Sequence, residues 1–215
     1  MEEYKCGYIS ILGRPNAGKS TLVNCLVGEK VAITSPKPQT TRNNILGIVT
    51  KEFYQLILVD TPGIHKSKNA LDKYMMKNVR SAMSGANVNL YLIDVTKKLS
   101  EQEIDYIKNI KTKNDVPLIV VASKIDLIRY EEVLPILAKL GEVSEIDEIV
   151  PVSSLKNKNT EELVNCVLKY LEPSPVKNFE YDEDYYTNKS LSFIASETIR
   201  EKTLYFLQEE IPHGI

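Results

Sequence analysis

A loop of glycine, basic and hydroxyl residues lies near the N-terminus, reading Gly13-Arg14-Pro15-Asn16-Ala17-Gly18-Lys19-Ser20. It fits the pattern G-x-x-x-x-G-K-[ST], in which the two glycines let the backbone wrap closely around a polyphosphate. Lys19 would reach the β- and γ-phosphates, the Ser20 hydroxyl is offered to Mg²⁺, and backbone N–H groups would bind phosphate oxygens. The loop, together with Thr21, therefore predicts a nucleotide-phosphate site, without choosing between ATP and GTP.

A second motif, Asp60-Thr61-Pro62-Gly63, follows directly after the apolar run 56–59. A carboxylate at the C-terminal end of a strand can hold the Mg²⁺ shell, and Gly63 can present its backbone N–H to the γ-phosphate. Taken alone, these four residues would be better interpreted as a plain turn, because Pro and Gly are standard turn formers. Their position one βα unit and a hairpin after a phosphate loop favours the catalytic interpretation.

The third motif, S-K-I-D at positions 123–126, resembles the [NT]-K-x-D motif that selects guanine in GTPases. Asp126 can accept hydrogen bonds from N1–H and the 2-amino group of guanine, whereas adenine has no 2-amino group and presents a lone pair at N1. Lys124 would lay its alkyl stem along the base, and Ser123 stands where asparagine is usual. Ser153 and Ser154 follow the run 148–152, where such proteins place a loop that supports the base.

Residues 32–44 join the phosphate-loop helix to the next strand and are polar, with two prolines at Pro36 and Pro38. Such a segment suits a switch that orders around a nucleotide and is released after hydrolysis. Thr41, directly before Arg42, is predicted in preference to Thr40 to ligate Mg²⁺ and touch the γ-phosphate. Without the phosphate loop, the same residues would be interpreted as a surface loop.

Apolar runs of strand length alternate along the chain with segments of helical period, which is typical of βαβ units. Four runs are apolar on both faces, as in parallel strands covered by helices. Two others are separated by only two residues and should pair antiparallel. The strands are predicted at 6–12, 45–50, 53–59, 89–95, 117–122 and 148–152. The sequence thus predicts an α/β fold with a mostly parallel six-stranded sheet, one antiparallel edge strand and helices on both faces.

Helical periodicity and capping residues predict the helices that connect these strands. Asn159 with Glu162, like Ser100 with Glu103, has the spacing of a capping box. The sequence pattern changes after Leu171, where prolines are followed by an acidic, tyrosine-rich stretch. Helices are predicted at 19–27, around 71–82, after Ser100, after Asn159, and as a short C-terminal appendage over 191–207. We expect a nucleotide-binding domain at 1–172, a linker at 173–190 and part of a second unit at 191–215.

Composition is that of an ordinary soluble protein: 215 residues, 43% hydrophobic, 26% charged and a net charge of −2. This balance argues against a disordered chain and against a basic protein that coats nucleic acid. The three cysteines share no C-x-x-C spacing and indicate free thiols in a reducing compartment. No basic leader or apolar run of roughly 18 residues is present, so a cytoplasmic location is expected.

Four segments in the same order resemble the Era family of bacterial ribosome-assembly GTPases: G-R-P-N-A-G-K-S, P-Q-T-T-R, D-T-P-G and the tail A-S-E-T-I-R-E-K at 195–202. The first three occur across the wider TrmE, Era and EngA group, and the tail is the most specific to Era. The resemblance implies GTP and GDP as ligands, Mg²⁺ as cofactor and small-subunit ribosomal RNA as partner. It also implies a monomer, with peripheral association at the inner face of the cell membrane.

Era proteins continue into a KH-type domain whose G-x-x-G loop grips the RNA backbone. This sequence contains no G-x-x-G, and residues 173–215 carry four basic and eight acidic side chains, a net charge of −4. Such a segment is a poor phosphate binder. The resemblance therefore leads us to expect a truncated chain with only the first helix of the RNA-binding domain.

Ile64 occupies the position after Asp-x-x-Gly where Ras-like enzymes carry a glutamine that positions water. An apolar side chain has no group to orient the attacking water, so slow intrinsic hydrolysis of GTP is expected. Relatives with this replacement and an asparagine matching Asn16 can use K⁺ beside the phosphates. The catalytic set predicted is Asn16, Lys19, Thr41, Asp60 and Gly63. Two alternatives stay open here: a P-loop ATPase, favoured by Ser123, and a nucleotide-dependent binding module with negligible hydrolysis, favoured by Ile64.

Overall fold

The computed structural model describes residues 3–35, 37, 40–64, 70–113 and 115–206, and contains a single mixed sheet. The strands are β1 (Tyr4–Gly13), β2 (Ile45–Thr50), β3 (Tyr54–Asp60), β4 (Val88–Asp94), β5 (Leu118–Ser123), β6 (Glu148–Val152) and β7 (Pro173–Ser174). All six predicted strands are present, with ends that differ from the prediction by at most two residues.

The main path of the sheet has the order β2-β3-β1-β4-β5-β6. Strands β3, β1, β4, β5 and β6 are mutually parallel, and β2 runs antiparallel to β3 at the edge. This confirms the predicted mostly parallel sheet with one antiparallel edge strand. The two-residue β7 was not predicted. Strand β7 pairs antiparallel with Tyr4 and Lys5 of β1. These two residues precede Ile9, the first residue of β1 that pairs with β4.

Helices cover both faces of the sheet. They are α1 (Lys19–Val27), α2 (Ala70–Ser84), α3 (Glu101–Lys113), α4 (Tyr130–Gly141), α5 (Thr160–Lys169) and α6 (Leu191–Phe206), with a short 3-10 helix at Ile125–Leu127. Residues 207–215, which were predicted to end the C-terminal helix and to belong to the second unit, lie outside the described part of the chain. Among the described helices, none has both the length and the apolar character needed to cross a membrane.

Two apolar clusters hold the helices to the sheet. One contains buried residues of α1 and α5, such as Leu22 and Leu163, against one face of the strands. The other contains residues of α2, α3 and α4, such as Val79, Ile107 and Leu140, against the opposite face. Because successive side chains of a strand point to opposite faces, a central strand contributes to both clusters and is apolar throughout.

Two local features differ from the sequence-based expectation. Helix α4 was not predicted, because Pro135 interrupts its pattern and only Val133 and Leu140 are buried. The capping box expected at Asn159 is wrong: Asn159 has a left-handed backbone (φ 59°) and no side-chain cap bond. Its Nδ2 donates instead to the carbonyl oxygen of Pro151 at 2.8 Å. A contact with β6 has therefore replaced the local cap.

The segment 173–190, predicted as a linker, is bonded to the sheet through Gln55 of β3. Gln55 is fully buried; its Oε1 accepts from the backbone N–H groups of Glu180 and Tyr181 at 2.9 and 3.1 Å. Its Nε2 donates to the Tyr181 carbonyl at 2.8 Å and to Thr50 Oγ1 at 2.9 Å. One side chain thus satisfies several backbone groups of the segment, while the domain bounds themselves stay a prediction.

Replacing Gln55 with leucine is expected to destabilise the protein by about 2 kcal/mol, because the backbone groups of the segment lose their partners while the volume is kept. Urea unfolding checks the free energy, and limited proteolysis checks for faster cleavage within 173–190. Gln102→Leu, on the exposed surface of α3, is the matched control and should change neither. Equal unfolding midpoints for the two variants would contradict this role for Gln55.

Candidate nucleotide-binding site

The loop between β1 and α1 folds around its own lysine. Gly13 (φ 142°) and Gly18 (φ 98°) lie in the left-handed region, and a Cβ on Gly13 would lie 2.6 Å from the Leu92 carbonyl oxygen. Lys19, only 6% exposed, donates from Nζ to the carbonyl oxygens of Gly13 and Arg14 at 3.1 and 3.0 Å. The ammonium group is thus fixed beside the backbone that would surround a phosphate.

Unlike Lys19, the side chains of Arg14 and Ala17 in the predicted phosphate loop do not line the cavity that opens over this loop. Arg14 is exposed and turns toward the start of α3, with Nη2 donating to Ser100 Oγ at 3.1 Å and Nε 3.5 Å from the Glu103 carboxylate. Ala17 is buried, and its carbonyl oxygen accepts from Ser123 Oγ. Arg14 therefore contacts protein groups in this structure, and its predicted contact with nucleotide would come from its backbone.

Three oxygen-bearing side chains from separate segments meet next to Lys19. Ser20 Oγ donates to Asp60 Oδ2 at 2.6 Å, and it lies 3.1 Å from Thr41 Oγ1. The second carboxylate oxygen, Asp60 Oδ1, is buried without a hydrogen-bond partner in the described part of the chain. Thr40, the alternative weighed from sequence, makes a different bond: its Oγ1 donates to the Lys37 carbonyl at 2.7 Å. The three residues predicted to hold metal are thus brought together.

This oxygen set fits Mg²⁺, a hard cation that takes oxygen ligands and keeps several waters. A cation would satisfy the buried Oδ1 of Asp60, which is otherwise costly. Within the described residues, no group of three or more His, Cys, Asp or Glu could hold a metal by itself. The remaining ligands would therefore be phosphate oxygens and water.

Burial shifts the titration of both charged groups of the site. It raises the pKa of the Asp60 carboxyl to about 6, although the Ser20 hydrogen bond and the charge of Lys19 oppose the shift. Burial also lowers the pKa of Lys19 to about 8, against the attraction of Asp60. A bound cation would favour the ionised carboxylate, and a phosphate would favour the ionised ammonium, so the nucleotide and metal would relieve both penalties.

The raised pKa of Asp60 predicts how stability depends on pH in protein free of nucleotide and Mg²⁺. Between its usual value of 3.8 and about 6, the folded state keeps a proton that the unfolded state has lost. The free energy of unfolding should therefore fall with rising pH across this interval, by at most about 1.4 kcal/mol per pH unit from this group. Thermal melts of the wild type and Asp60→Asn in EDTA measure the difference. Parallel curves for the two proteins from pH 4 to 6 would contradict the assignment.

The Asp-Thr-Pro-Gly segment packs directly on the phosphate loop. Thr61 Oγ1 donates to the Ile11 carbonyl at 2.6 Å, and the Ile64 N–H donates to the Gly13 carbonyl at 3.0 Å. A Cβ on Gly63 would lie 2.7 Å from the backbone nitrogen of Pro15. Pro62 is buried, and Ile64 packs against the apolar cluster of α2, α3 and α4. The side chain of Ile64 is thus used in packing.

On the side predicted for the base, Ser123 ties the phosphate loop to the sheet. Its buried Oγ lies 2.6 Å from the Ala17 carbonyl oxygen and 2.9 Å from that of Ile93. Asp126 is exposed in the 3-10 helix at the C-terminal end of β5. Its exposed carboxylate therefore lies at the edge where the strands end, on the side predicted for the base.

The predicted supporting loop follows β6 at the same edge of the sheet. Ser153 is fully buried, and its Oγ accepts from the Lys156 N–H at 3.2 Å, while Ser154 is half-buried. Ser153 and Lys158 also exchange backbone hydrogen bonds at 3.1 and 2.9 Å. Ser153 therefore stabilises the loop itself, and the predicted contact with the base would come from its backbone or from Ser154.

A cavity of about 300 Å³ opens over the phosphate loop. The predicted site residues that line it are Pro15, Asn16, Gly18, Lys19, Ser20, Thr21, Thr41, Gly63 and Lys124. Asp126, Ser153 and Ser154 are not among its lining residues. Lining residues that were not predicted are Ile33, Thr34, Ser35, Lys37, Thr40 and Tyr205. The cavity therefore joins the phosphate loop to the predicted switch segment, of which residues 36, 38 and 39 lie outside the described chain.

Helix α6 reaches the switch segment, which sequence patterns did not indicate. Glu201, only 7% exposed, accepts from Lys30 Nζ at 2.7 Å and from the Thr34 N–H at 3.0 Å. Arg200 donates from Nη2 to the Thr40 carbonyl at 2.6 Å. The only signal in the sequence was the A-S-E-T-I-R-E-K stretch, which gives residue types without saying what they contact.

Comparison with known proteins places these features in a family. Residues 8–124 match the family model described as 50S ribosome-binding GTPase. The chain is 44% identical over 211 residues to GTPase Era of Clostridium kluyveri, covering 98% of this chain and 71% of that protein. It is 43% identical over 212 residues to GTPase Era of Clostridium botulinum, covering 99% and 70%.

Solved structures show the same relationship. An Era protein in complex with MgGDPNP and nucleotides 1506–1542 of 16S ribosomal RNA has a TM-score of 0.89 at 39% identity, covering 98% of this chain and 70% of that one. A variant of Aquifex aeolicus Era bound to GDP and AlF4⁻ also has a TM-score of 0.89, at 38% identity, covering 97% and 70%. Elongation factor SelB of Methanococcus maripaludis, at 22% identity and a TM-score of 0.62, over 84% of this chain and 37% of that one, shares the fold alone.

The sheet topology, with a phosphate loop, an Asp-Thr-Pro-Gly turn and a guanine-type motif at one edge, defines a P-loop GTPase. Since relatives named GTPase Era match nearly the whole chain at 43–44% identity, the chain belongs to the Era family of GTPases. It is a GTP-binding protein that hydrolyses GTP to GDP and phosphate. The ATPase alternative and the non-hydrolysing module are therefore set aside.

Proposed function

We propose that this chain binds GTP and GDP with Mg²⁺ in the cavity over the phosphate loop and acts as a switch in assembly of the small ribosomal subunit. The observation that carries the nucleotide site is the contact of Ser20 with both Thr41 and Asp60, whose second carboxylate oxygen is buried and unpaired in the described part of the chain. Hydroxyls and one carboxylate suit Mg²⁺, and a buried ammonium suits phosphate. A Mg²⁺–nucleotide complex is a ligand that would use both groups at once.

Each predicted residue has a separate task in this proposal. Lys19 and the backbone N–H groups of residues 13–20 hold the β- and γ-phosphates, while Ser20 and Asp60 orient the cation. Bound Mg²⁺ supplies neutralisation of phosphate charge. Thr41 and the Gly63 N–H hold the γ-phosphate side, so the loss of that phosphate removes their contact and releases the switch segment.

Ile64 limits the rate in this proposal. Its side chain packs in an apolar cluster, so it offers no group to orient an attacking water. Positioning and charge stabilisation are left to Lys19, Thr41 and Gly63. We expect intrinsic turnover on the order of 10⁻⁴ to 10⁻² s⁻¹, the range of unstimulated switch GTPases.

The proposed RNA partner comes from the related Era protein that was solved with a segment of 16S ribosomal RNA. The chain spans about 70% of the length of that protein, and residues 173–215 have a net charge of −4. RNA phosphates should therefore meet other surfaces of the protein. We infer that the protein acts in the bacterial cytoplasm, where ribosomes assemble.

A matched pair of threonine variants tests the site. Thr41→Val should weaken the Mg²⁺ dependence of GTP binding and lower the rate of phosphate release about tenfold, since one metal-directed hydroxyl is lost. Thr40→Val, one residue away and with its hydroxyl bonded to the Lys37 carbonyl instead of Ser20, should stay within about twofold of wild type. Displacement of a fluorescent guanine nucleotide and a phosphate-release assay over hours give the two values. Equal effects of the two variants would overturn the proposed role of Thr41.

A role for K⁺ is proposed from Asn16 together with Ile64. Asn16 has a left-handed backbone (φ 64°) and lines the cavity at the phosphate loop, where a monovalent cation would lie against the phosphates. Replacing K⁺ by Na⁺ at constant ionic strength should lower turnover about tenfold, because stabilisation of developing charge is lost. Turnover that is the same in both salts would remove K⁺ from the proposal.

A further inference from the structure

Asp94 is a buried carboxylate at the C-terminal end of β4 that none of the sequence motifs includes. It is only 8% exposed, and burial of a charge is unfavourable unless the charge is paired. Its Oδ1 accepts from the N–H and Oγ1 of Thr96 at 3.1 and 2.6 Å. Its Oδ2 accepts from Lys124 Nζ at 2.7 Å. Asp94 therefore lies directly behind the lysine predicted to flank the base.

Lys124 in turn joins the base side of the site to the phosphate side. Its Nζ also donates to the carbonyl oxygen of Asn16 at 2.7 Å. Lys124 (φ 66°) and Asn16 (φ 64°) both have left-handed backbones, which asparagine tolerates but which are unfavourable for lysine. The bond between them links the two turns, and Asp94 fixes the ammonium group that makes it.

The charges around Asp94 show which neighbour matters. Burial acts to raise the pKa of the Asp94 carboxyl, but hydrogen bonds from Lys124 and Thr96 outweigh it, so the pKa lies below its usual range. Lys97 is a second cation, yet its Nζ is 3.7 Å from Oδ2 and its side chain is largely exposed. Water screens such a pair, so Lys124 is the dominant partner.

We propose that Asp94 is a positioning residue for guanine-nucleotide binding, which acts by holding Lys124. With its ammonium group held between Asp94 and Asn16, the side chain of Lys124, which lines the cavity, is kept between the phosphate loop and the side predicted for the base. A lysine without this partner has several rotatable bonds to order when nucleotide enters. The inference rests on the proposed function of the cavity. It adds Asp94, which lies outside the three sequence motifs, to the residues of the nucleotide site.

Asp94→Asn tests the proposal, because the amide can still accept from Thr96 but no longer carries a charge for Lys124. The dissociation constant for fluorescent GDP should rise about tenfold, as expected for loss of a charge-assisted hydrogen bond. Lys97→Ala removes the other cation near the same carboxylate and should change the constant less than twofold. If Asp94→Asn does not yield folded protein, Asp94→Glu is used, with an expected rise of about threefold.

A double-mutant cycle separates positioning from a general structural role. In a Lys124→Met background, the Asp94 substitution should change GDP affinity less than twofold, because the group it holds has gone. The same loss in both backgrounds, or no loss in wild type, would overturn the inference. Failure of the wild-type protein to bind GDP would instead overturn the proposed nucleotide site, so the two failures are distinguishable.

Discussion

Asp126→Asn is expected to weaken GDP and GTP binding roughly 100-fold or more and to raise affinity for xanthine nucleotides. The carboxylate can accept both N1–H and the 2-amino group of guanine, whereas an amide has one acceptor and one donor. Its NH₂ would face a guanine donor, leaving polar groups unpaired in the complex. Xanthine carries a carbonyl at C2 that accepts from this NH₂, so the variant should prefer it.

Titration of fluorescent GDP and XDP measures both constants. Because Asp126 is exposed, its substitution should leave the melting temperature of the nucleotide-free protein within about one degree of wild type. Asp115→Asn, an exposed aspartate in the loop before β5, is the control and should bind both nucleotides as wild type does. Unchanged GDP affinity in Asp126→Asn would show that another residue reads the base.

Gly63→Ala should lower GTP hydrolysis about 100-fold while GDP binding stays within about fivefold of wild type. The added Cβ would lie 2.7 and 2.8 Å from backbone N and Cα of Pro15, which cannot move without displacing the phosphate loop. The turn that carries the Gly63 N–H must therefore shift away from the γ-phosphate. Displacement of this size at a reacting group costs about 10²-fold in rate, and GDP has no γ-phosphate to lose.

Single-turnover phosphate release and GDP titration give the two readouts for this variant. Gly141→Ala is the matched control, since a Cβ there meets nothing within 4 Å. A parallel loss of GDP binding and hydrolysis in Gly63→Ala would mean that the whole loop has been displaced. Full activity would show that the close contact with Pro15 is not needed for hydrolysis.

The architecture followed from sequence because its cause is local. Strands buried on both faces must be apolar throughout, and helices over them must repeat their apolar residues at helical spacing. The alternation of these two patterns along the sequence therefore predicts the order of strands and helices. The predictions missed α4 and were wrong at Asn159, because in each case one residue departs from the local rule that was applied. Pro135 breaks the helical pattern of α4, and Asn159 bonds to Pro151 of β6 instead of capping its own helix.

The residues of the candidate site also fall into two groups: those predicted from residue type and spacing, and those whose position is given by the tertiary structure. The phosphate loop, Asp60 and Asp126 were predicted from residue types at fixed spacing, because the chemistry of phosphate, Mg²⁺ and guanine demands those types. The choice of Thr41 over Thr40 was a prediction that the structure supports only through geometry, with Thr41 Oγ1 3.1 Å from Ser20 Oγ.

The sequence by itself determined the fold class, the three motifs and their order, since each depends on neighbours within a few residues. Only the tertiary structure decided which distant residues support them: Asp94 behind Lys124, Glu201 against the switch segment, and Gln55 bonded to residues 180–181. Each of these contacts joins residues at least 30 positions apart. No periodicity or spacing encodes such a pair, because its partners meet only after the sheet has assembled.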